Sequence, residues 1–305
     1  MAEQDWKQKP ERGSMLLVRL IIAISKNMGR SFALVLLYPI TFYFYISSAT
    51  TRHASRDFLR RVLPNKPGWK DTYRQLYVFA TTLLDRVFLF SGRLDEFKLQ
   101  MSGTEEVLEY LANGKGCLLL GSHLGSFEIM RATGIQLYAE DFGLRVLMRQ
   151  DESEKISVLL NEMAPELSEI IIPVEQADTM LRVKEAIESG CLVGLLGDRV
   201  CGTEKTMQCE FLGDQAEFPM AAAQLALALK VPIFTFYGIY TGTNCYSIHF
   251  NLLSQAADVE REKRNSWMQK VTADYVNELA ERAKKAPYNW FNFYPFWANK
   301  NDADD

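Results

Sequence analysis

Metal and nucleotide chemistry find little to use in this chain. Its three histidines, His53, His123 and His249, stand far apart, and its five cysteines include no C-x-x-C pair. Neither a histidine-rich metal centre nor a zinc site is expected, and an odd number of scattered cysteines fits reduced thiols in a cytosolic compartment better than a disulfide framework. No G-x-G-x-x-G follows a strand-like run and no P-loop lysine appears, which removes the common nucleotide signatures. There is no internal repeat and no low-complexity segment. No A-x-A-like site follows the early apolar residues, so a cleaved signal peptide is not expected either.

What is present is an ordinary globular balance, 48% hydrophobic and 24% charged over 305 residues, with ample material for a core. The net charge of -4 hides an asymmetry. Residues 1–75 carry 13 Lys/Arg against 5 Asp/Glu, and the remainder 21 against 33. Within the basic front end, "MLLVRLIIAISKNMGR" repeats apolar residues at helical spacing between cations, and "SFALVLLYPITFYFYIS" adds 17 uncharged residues. That run falls short of the roughly 20 residues that cross a bilayer straight. The next stretch holds Arg52, Arg56, Arg60, Arg61, Lys66 and Lys70, the composition expected where a chain leaves anionic lipid on the cytoplasmic side. No nucleic-acid recognition motif accompanies these cations, and their apolar neighbour favours lipid. The expectation is a membrane-anchoring helical unit over 1–75 and a second domain over 76–305.

From about residue 100 the pattern changes to short apolar runs alternating with helical stretches. Strands are expected at 117–121, 144–148, 169–174, 192–197, 231–240 and 246–250. Helices are expected at 124–139, 153–164, 177–189, 219–229 and 259–285. This alternation predicts an α/β fold with a central, mostly parallel sheet flanked by helices. Polar residues follow the strands in turn: His123, Arg149, Glu175, and Asp198 with Arg199. In such a sheet ligands bind at the carboxyl ends of the strands, so these side chains are expected to converge.

His123 offers the sharpest chemistry. A helix starting at Leu124 would leave the backbone N–H groups of Gly125 and Ser126 free for an oxyanion and would carry Glu128 about one and a half turns inward. A neutral imidazole can take a proton from a hydroxyl or amine, and a carboxylate on its other nitrogen holds the tautomer. These are the parts for attack on an acyl carbonyl. Neither Ser122 nor Ser126 lies in a G-x-S-x-G elbow.

His123-x4-Glu128 after an apolar strand resembles the H-x4-D/E motif of the late acyltransferases of lipid A biosynthesis and related bacterial lipid acyltransferases. The resemblance extends to the N-terminal apolar anchor, to Arg149, to "DRVCG" (198–202), and to Phe211 and Gly213 in "EFLGDQAEF". It implies His123 as general base with Glu128 as its partner. It makes Arg149 and Asp198 residues of the substrate site, to which the strand-end and helix-start readings add Arg199, Gly125 and Ser126. It also implies no metal and no cofactor, an acyl donor that is acyl carrier protein or acyl-CoA, a lipid acceptor, and a place on the cytoplasmic face of a bacterial inner membrane. Val200 stands where typical members carry a second acid, and "PYNWFNFYPFW" (287–297) replaces their C-terminal Trp-x-His-x-Arg-Phe pattern, which leaves the acceptor open. Seven of those eleven residues are aromatic, readable as a packed lid or as an interfacial belt. A non-catalytic lipid-binding protein and an acyl thioesterase are the competing readings.

Overall fold

The computed structural model describes residues 12–129, 143–149, 170–200, 202 and 204–297. Three helices lead: α1 (Arg12–Ser47), α2 (Ala49–Val62) and α3 (Trp69–Phe90). Gly29, with φ +77° and ψ 167°, breaks α1 into two arms, a backbone conformation that glycine adopts without a Cβ penalty. Ser48 caps α2 by accepting the Thr51 N–H, and Asp71 reaches back to the Gly68 N–H at the start of α3. α3 is continuous through residues 75 and 76.

The sheet strands are β1 (Lys98–Ser102), β2 (Cys117–Gly121), β3 (Leu144–Met148), β4 (Ile171–Pro173), β5 (Leu192–Leu196), β8 (Ile233–Gly242) and β9 (Cys245–Ser254). Between β5 and β8 a separate antiparallel hairpin forms from β6 (Thr206–Phe211) and β7 (Asp214–Pro219). Among the described residues the helices that intervene or follow are α4 (Thr104–Ala112), α5 (Thr179–Glu188), α6 (Ala221–Leu229) and α7 (Arg264–Lys285). The seven-stranded order is β1-β9-β8-β2-β5-β3-β4. All pairings are parallel except the β8–β9 hairpin, which accords with the expected α/β sheet. β2 is buried at every residue, as a central strand covered on both faces must be, and its sequence is therefore a continuous apolar run.

The strands expected from apolar runs all form where they are described. β1 was not among them, because "KLQMS" alternates exposed and half-buried positions at the sheet edge and contains no apolar run. The β6–β7 hairpin was also unexpected as strands. Its turn, Leu212 and Gly213, both at positive φ, coincides with the Phe-x-Gly feature of the resemblance. The helix expected at 153–164 lies outside the described residues, as does most of the one expected at 124–139.

Two apolar clusters cover the two faces of the sheet. One gathers Leu118, Leu120, Val193, Tyr275 and Leu279 with Phe58 and Trp290. The other gathers Leu119, Val146, Phe234 and Tyr246 with Leu37, Leu84 and Phe88. Burying each such side chain contributes about 1.5–3 kcal/mol. The leading helices thus belong to both clusters, and the ends of β2, β5 and β3 stand on a rigid base.

Candidate active site

Register fixes which side chains meet at the carboxyl end of the sheet. Gly121 pairs with Leu196, so His123 and Asp198, each two residues further on, face each other across neighbouring strands. β3 lies on the other side of β5, with Val146 opposite Gly194, and this brings Arg149 out beside the turn that holds Asp198. β4 is next, with Met148 opposite Pro173, and Glu175 follows it at the sheet edge. The expected succession of strand-end residues is therefore arranged in the order His123, Asp198, Arg149, Glu175 along one edge.

His123 Nδ1 lies 2.8 Å from Asp198 Oδ1, and the His123 backbone N–H donates to Asp198 Oδ2 at 3.0 Å. Asp198 also accepts from Asn292 Nδ2 at 2.9 Å and from Trp290 Nε1 at 3.3 Å. Burial alone would raise this carboxyl's pKa. The His123 charge and hydrogen bonds, with the Arg199 charge, outweigh it and hold the value down to about 2. An ionised carboxylate is an acceptor only, so Nδ1 carries a proton, and the tautomer this selects for the uncharged ring has its lone pair at Nε2. Among the described residues nothing bonds to Nε2. The His123 side chain keeps 22% of its surface exposed while Asp198 has none. Burial, followed by the Asp198 charge, raises the pKa of Tyr275 well above the ordinary phenol value. That phenol stays neutral and donates to the Gly121 carbonyl at 2.8 Å.

This arrangement differs from the sequence expectation in three ways. The partner of the imidazole is Asp198, 75 residues away, and not Glu128. The Glu128 carboxylate pairs with Arg86 on α3 at 3.1 Å and accepts from Ser126 Oγ at 3.4 Å. Second, no helix begins at Leu124. Residues 122–127 are an extended loop, with helical backbone only from Glu128. Third, the N–H groups expected to receive an oxyanion are already used. Gly125 N–H donates to Asn289 O at 2.8 Å, and Ser126 N–H to Gly238 O at 2.8 Å. The reason is close backbone packing. Gly125, at φ +86°, lies directly against Gly238 of β8, and a Cβ on either would strike the other's neighbourhood. The loop is pinned to β8 on one side and to residues 289–291 on the other, where Phe291 N–H donates to His123 O at 2.8 Å.

The residues that sequence reasoning missed are in that C-terminal segment. Asn292 joins two strand-end residues, donating to Asp198 and accepting from Arg199 Nε at 2.7 Å. Arg199 also donates to Phe291 O at 3.2 Å, so its guanidinium holds the segment in place. Asn289 bonds both backbone groups of Tyr240. Trp290 is fully buried among Phe58, Phe211, Phe296 and Trp297. Of the two readings of "PYNWFNFYPFW", the packed lid describes these rings. The available signal was the pair of asparagines interrupting an aromatic run, since a buried amide needs partners.

No group of three or more His, Cys, Asp or Glu side chains among the described residues could hold a metal ion. What the site offers is a histidine held in one tautomer, with one nitrogen open, in front of a sheet edge that also carries Arg149.

No curated protein matches this chain. A family model described as bacterial lipid A biosynthesis acyltransferase matches residues 10–299. That span takes in the leading apolar helix, the sheet and the C-terminal segment, and on that match the chain belongs to the bacterial lipid A biosynthesis acyltransferase family.

Proposed function

We propose that this acyltransferase moves a fatty acyl group from a thioester, on acyl carrier protein or coenzyme A, to a hydroxyl or amine of a lipid at the cytoplasmic face of a bacterial inner membrane. The observation that carries the reading is the orientation of His123: Nδ1 locked on an ionised, fully buried Asp198, and Nε2 open.

The steps follow from that geometry. Nε2 takes the proton from the acceptor O–H or N–H as the heteroatom attacks the thioester carbonyl. Asp198 stabilises the imidazolium and keeps the ring from rotating. The negative charge that forms on the carbonyl oxygen falls to Arg149, since the Gly125 and Ser126 amides have other acceptors. When the tetrahedral intermediate collapses, the C–S bond breaks and the imidazolium returns its proton to the leaving thiolate. Glu128 acts as a positioning residue through Arg86 and Ser126, holding the loop that presents His123. Acyl carrier protein is acidic, so a cationic rim serves as its approach. Lys205 and Arg182 are candidates, although each is also tied to its own protein, to Asn265 and to Gln176.

The test uses purified full-length protein in vesicles containing a bacterial lipid extract. It follows the label of an acyl-labelled carrier protein into lipid or free acid. Label entering lipid, and lost with His123→Ala, supports the reading. Label appearing only as free acid makes the protein a thioesterase, and no turnover with either carrier protein or coenzyme A thioesters leaves a lipid-binding protein.

A further inference from the structure

We infer that the second arm of α1, residues 30–47, lies flat in one leaflet of an anionic bilayer and does not cross it. This deepens the membrane reading above and rests on it.

By length and composition the arm could cross. Gly29–Ser47 is the one helix among the described residues apolar enough to do so, and only 22% of it is buried. At 1.5 Å per residue its 18 residues reach about 27 Å, close to the hydrocarbon thickness of about 30 Å. Its two ends decide otherwise. At the beginning, Arg30 is 5% exposed and grips Asp85 of α3 with two hydrogen bonds, at 2.7 and 3.0 Å. Its third guanidinium nitrogen bonds Asn244 in the β8–β9 turn, and Asp85 also accepts from Tyr246 of β9 at 2.8 Å. At the other end, α2 turns back onto the same body. Phe58 packs on Trp290 at 4.6 Å between ring centroids, and Arg61 pairs with Asp214 of the hairpin at 2.6 Å. In between, Tyr77 and Tyr73 of α3 donate to the Leu34 and Tyr38 carbonyls. An arm held by Arg30 at its start and by α3 from Leu34 to Tyr45, and followed at once by a helix that returns to the same folded body, does not place its ends on opposite sides of a membrane.

The remaining face points to what covers it. Arg30, Ala33, Leu37 and Thr41 form the buried stripe, at helical spacing. The opposite face shows Phe32, Val35, Tyr38, Phe42, Tyr43 and Ile46, each at least 40% exposed, with no charged residue between Arg30 and Arg52. An apolar patch of this kind marks an interaction surface. Cations flank it: Arg52 donates to the Ile46 carbonyl at 2.8 Å, and Lys70 with the exposed Trp69 stands about one turn before Tyr73, whose ring meets Tyr45, with Arg74 directly after it. Apolar and aromatic residues bordered by Lys and Arg fit the acyl–headgroup boundary of an anionic leaflet. The same frame reaches the active site, because Gln75 of α3 donates to Trp290 O at 2.6 Å and Trp290 donates to Asp198. The height of His123 above the lipid is then set by rigid contacts.

The experiment places single cysteines at the exposed positions Ser31 and Ser47, in separate full-length proteins. Sealed inverted inner-membrane vesicles from producing cells are labelled with a membrane-impermeant maleimide, and the unsubstituted chain supplies the background. Both S31C and S47C should label to the same extent, with or without permeabilising detergent. If one of them labels only after permeabilisation, the arm spans and the inference is overturned, while the membrane reading stands. In a second measurement, Val35→Asp with Tyr43→Asp should lower binding of purified protein to phosphatidylethanolamine–phosphatidylglycerol vesicles at least about tenfold. Undiminished flotation of that variant overturns the proposed face. A wild-type protein that fails to float, as a monomer or as a dimer through this surface, overturns the membrane reading and the inference together.

Discussion

Asp85 and Asp198 are both fully buried aspartates bonded to a cationic or potentially cationic partner and to an aromatic donor, yet the two places do different things. Asp85 holds Arg30 and receives the Tyr246 hydroxyl. Asp198 holds His123 and receives the Trp290 indole N–H. Around Asp85, burial raises the carboxyl's pKa despite the Arg30 contacts. Around Asp198, His123 and Arg199 bring it down to about 2. Arginine keeps its charge at any relevant pH, and the Arg30 side chain is only 4% exposed, so that pair is a fixed fastening. An imidazole, unlike a guanidinium, can take up and release a proton, and the partly exposed His123 ring has its second nitrogen open to do so. What a buried carboxylate contributes is thus set by the partner it holds: a fixed charge at Arg30, an imidazole with one open nitrogen at His123.

The largest effect should come from breaking the working pair. His123→Ala is expected to lower kcat by about 10² to 10⁴, with a smaller loss of stability, since buried Asp198 loses the imidazole but keeps the backbone N–H of residue 123, Trp290 and Asn292 as donors. Steady-state kinetics with melts alongside check it. Breaking the fastening should act on stability instead: Asp85→Ala leaves Arg30 buried without a counter-charge, at a cost of about 3–5 kcal/mol. Replacing both as Arg30→Met with Asp85→Leu should be much milder. Denaturation in detergent solution tests this, and a single mutant as stable as the double would break the comparison.

Asp198→Asn keeps the volume but loses the charge, and should reduce kcat by about 10²- to 10⁴-fold. Glu128→Gln, which leaves the His123–Asp198 contact untouched, should cost about tenfold or less in kcat. Equal losses from the two would restore Glu128 as the partner of the histidine. Arg149→Ala should lower kcat/KM at least about tenfold, or about 1.4 kcal/mol, with partial rescue by lysine. Unchanged kinetics would remove it from the site.

The smallest effect concerns pH. The Asp198 pKa is depressed in the folded protein from its ordinary 3.8 to about 2. Its ionisation therefore stabilises the fold fully above about 3.8, and that contribution is lost as pH falls through about 2. The stability difference between the wild type and Asp198→Asn should narrow over that window in denaturant titrations, and a constant difference would contradict the assignment.

Much of the site was legible in the chain. Apolar runs marked β2, β3 and β5, and the residue types just beyond them, His123, Arg149 and Asp198, are those that the register then lines up along one edge. Edge and hairpin strands were hidden, because half-exposed residues such as Lys98–Ser102 alternate without an apolar run. The lid was visible as "PYNWFNFYPFW", but the role of Asn292 was not.

What the sequence determined by itself was therefore local and periodic: the α/β alternation, the apolar uncharged arm followed by cations, and a histidine two residues past a buried strand. Tertiary structure alone decided three matters. It put Asp198 and not Glu128 on the imidazole, because strand adjacency, unlike sequence spacing, sets distance across a sheet. It filled the Gly125 and Ser126 amides, because two glycines let the loop and β8 meet backbone to backbone. And it tied the start of the apolar arm to the folded body, because Arg30 finds its carboxylate 55 residues away on α3, a pairing that no local pattern encodes.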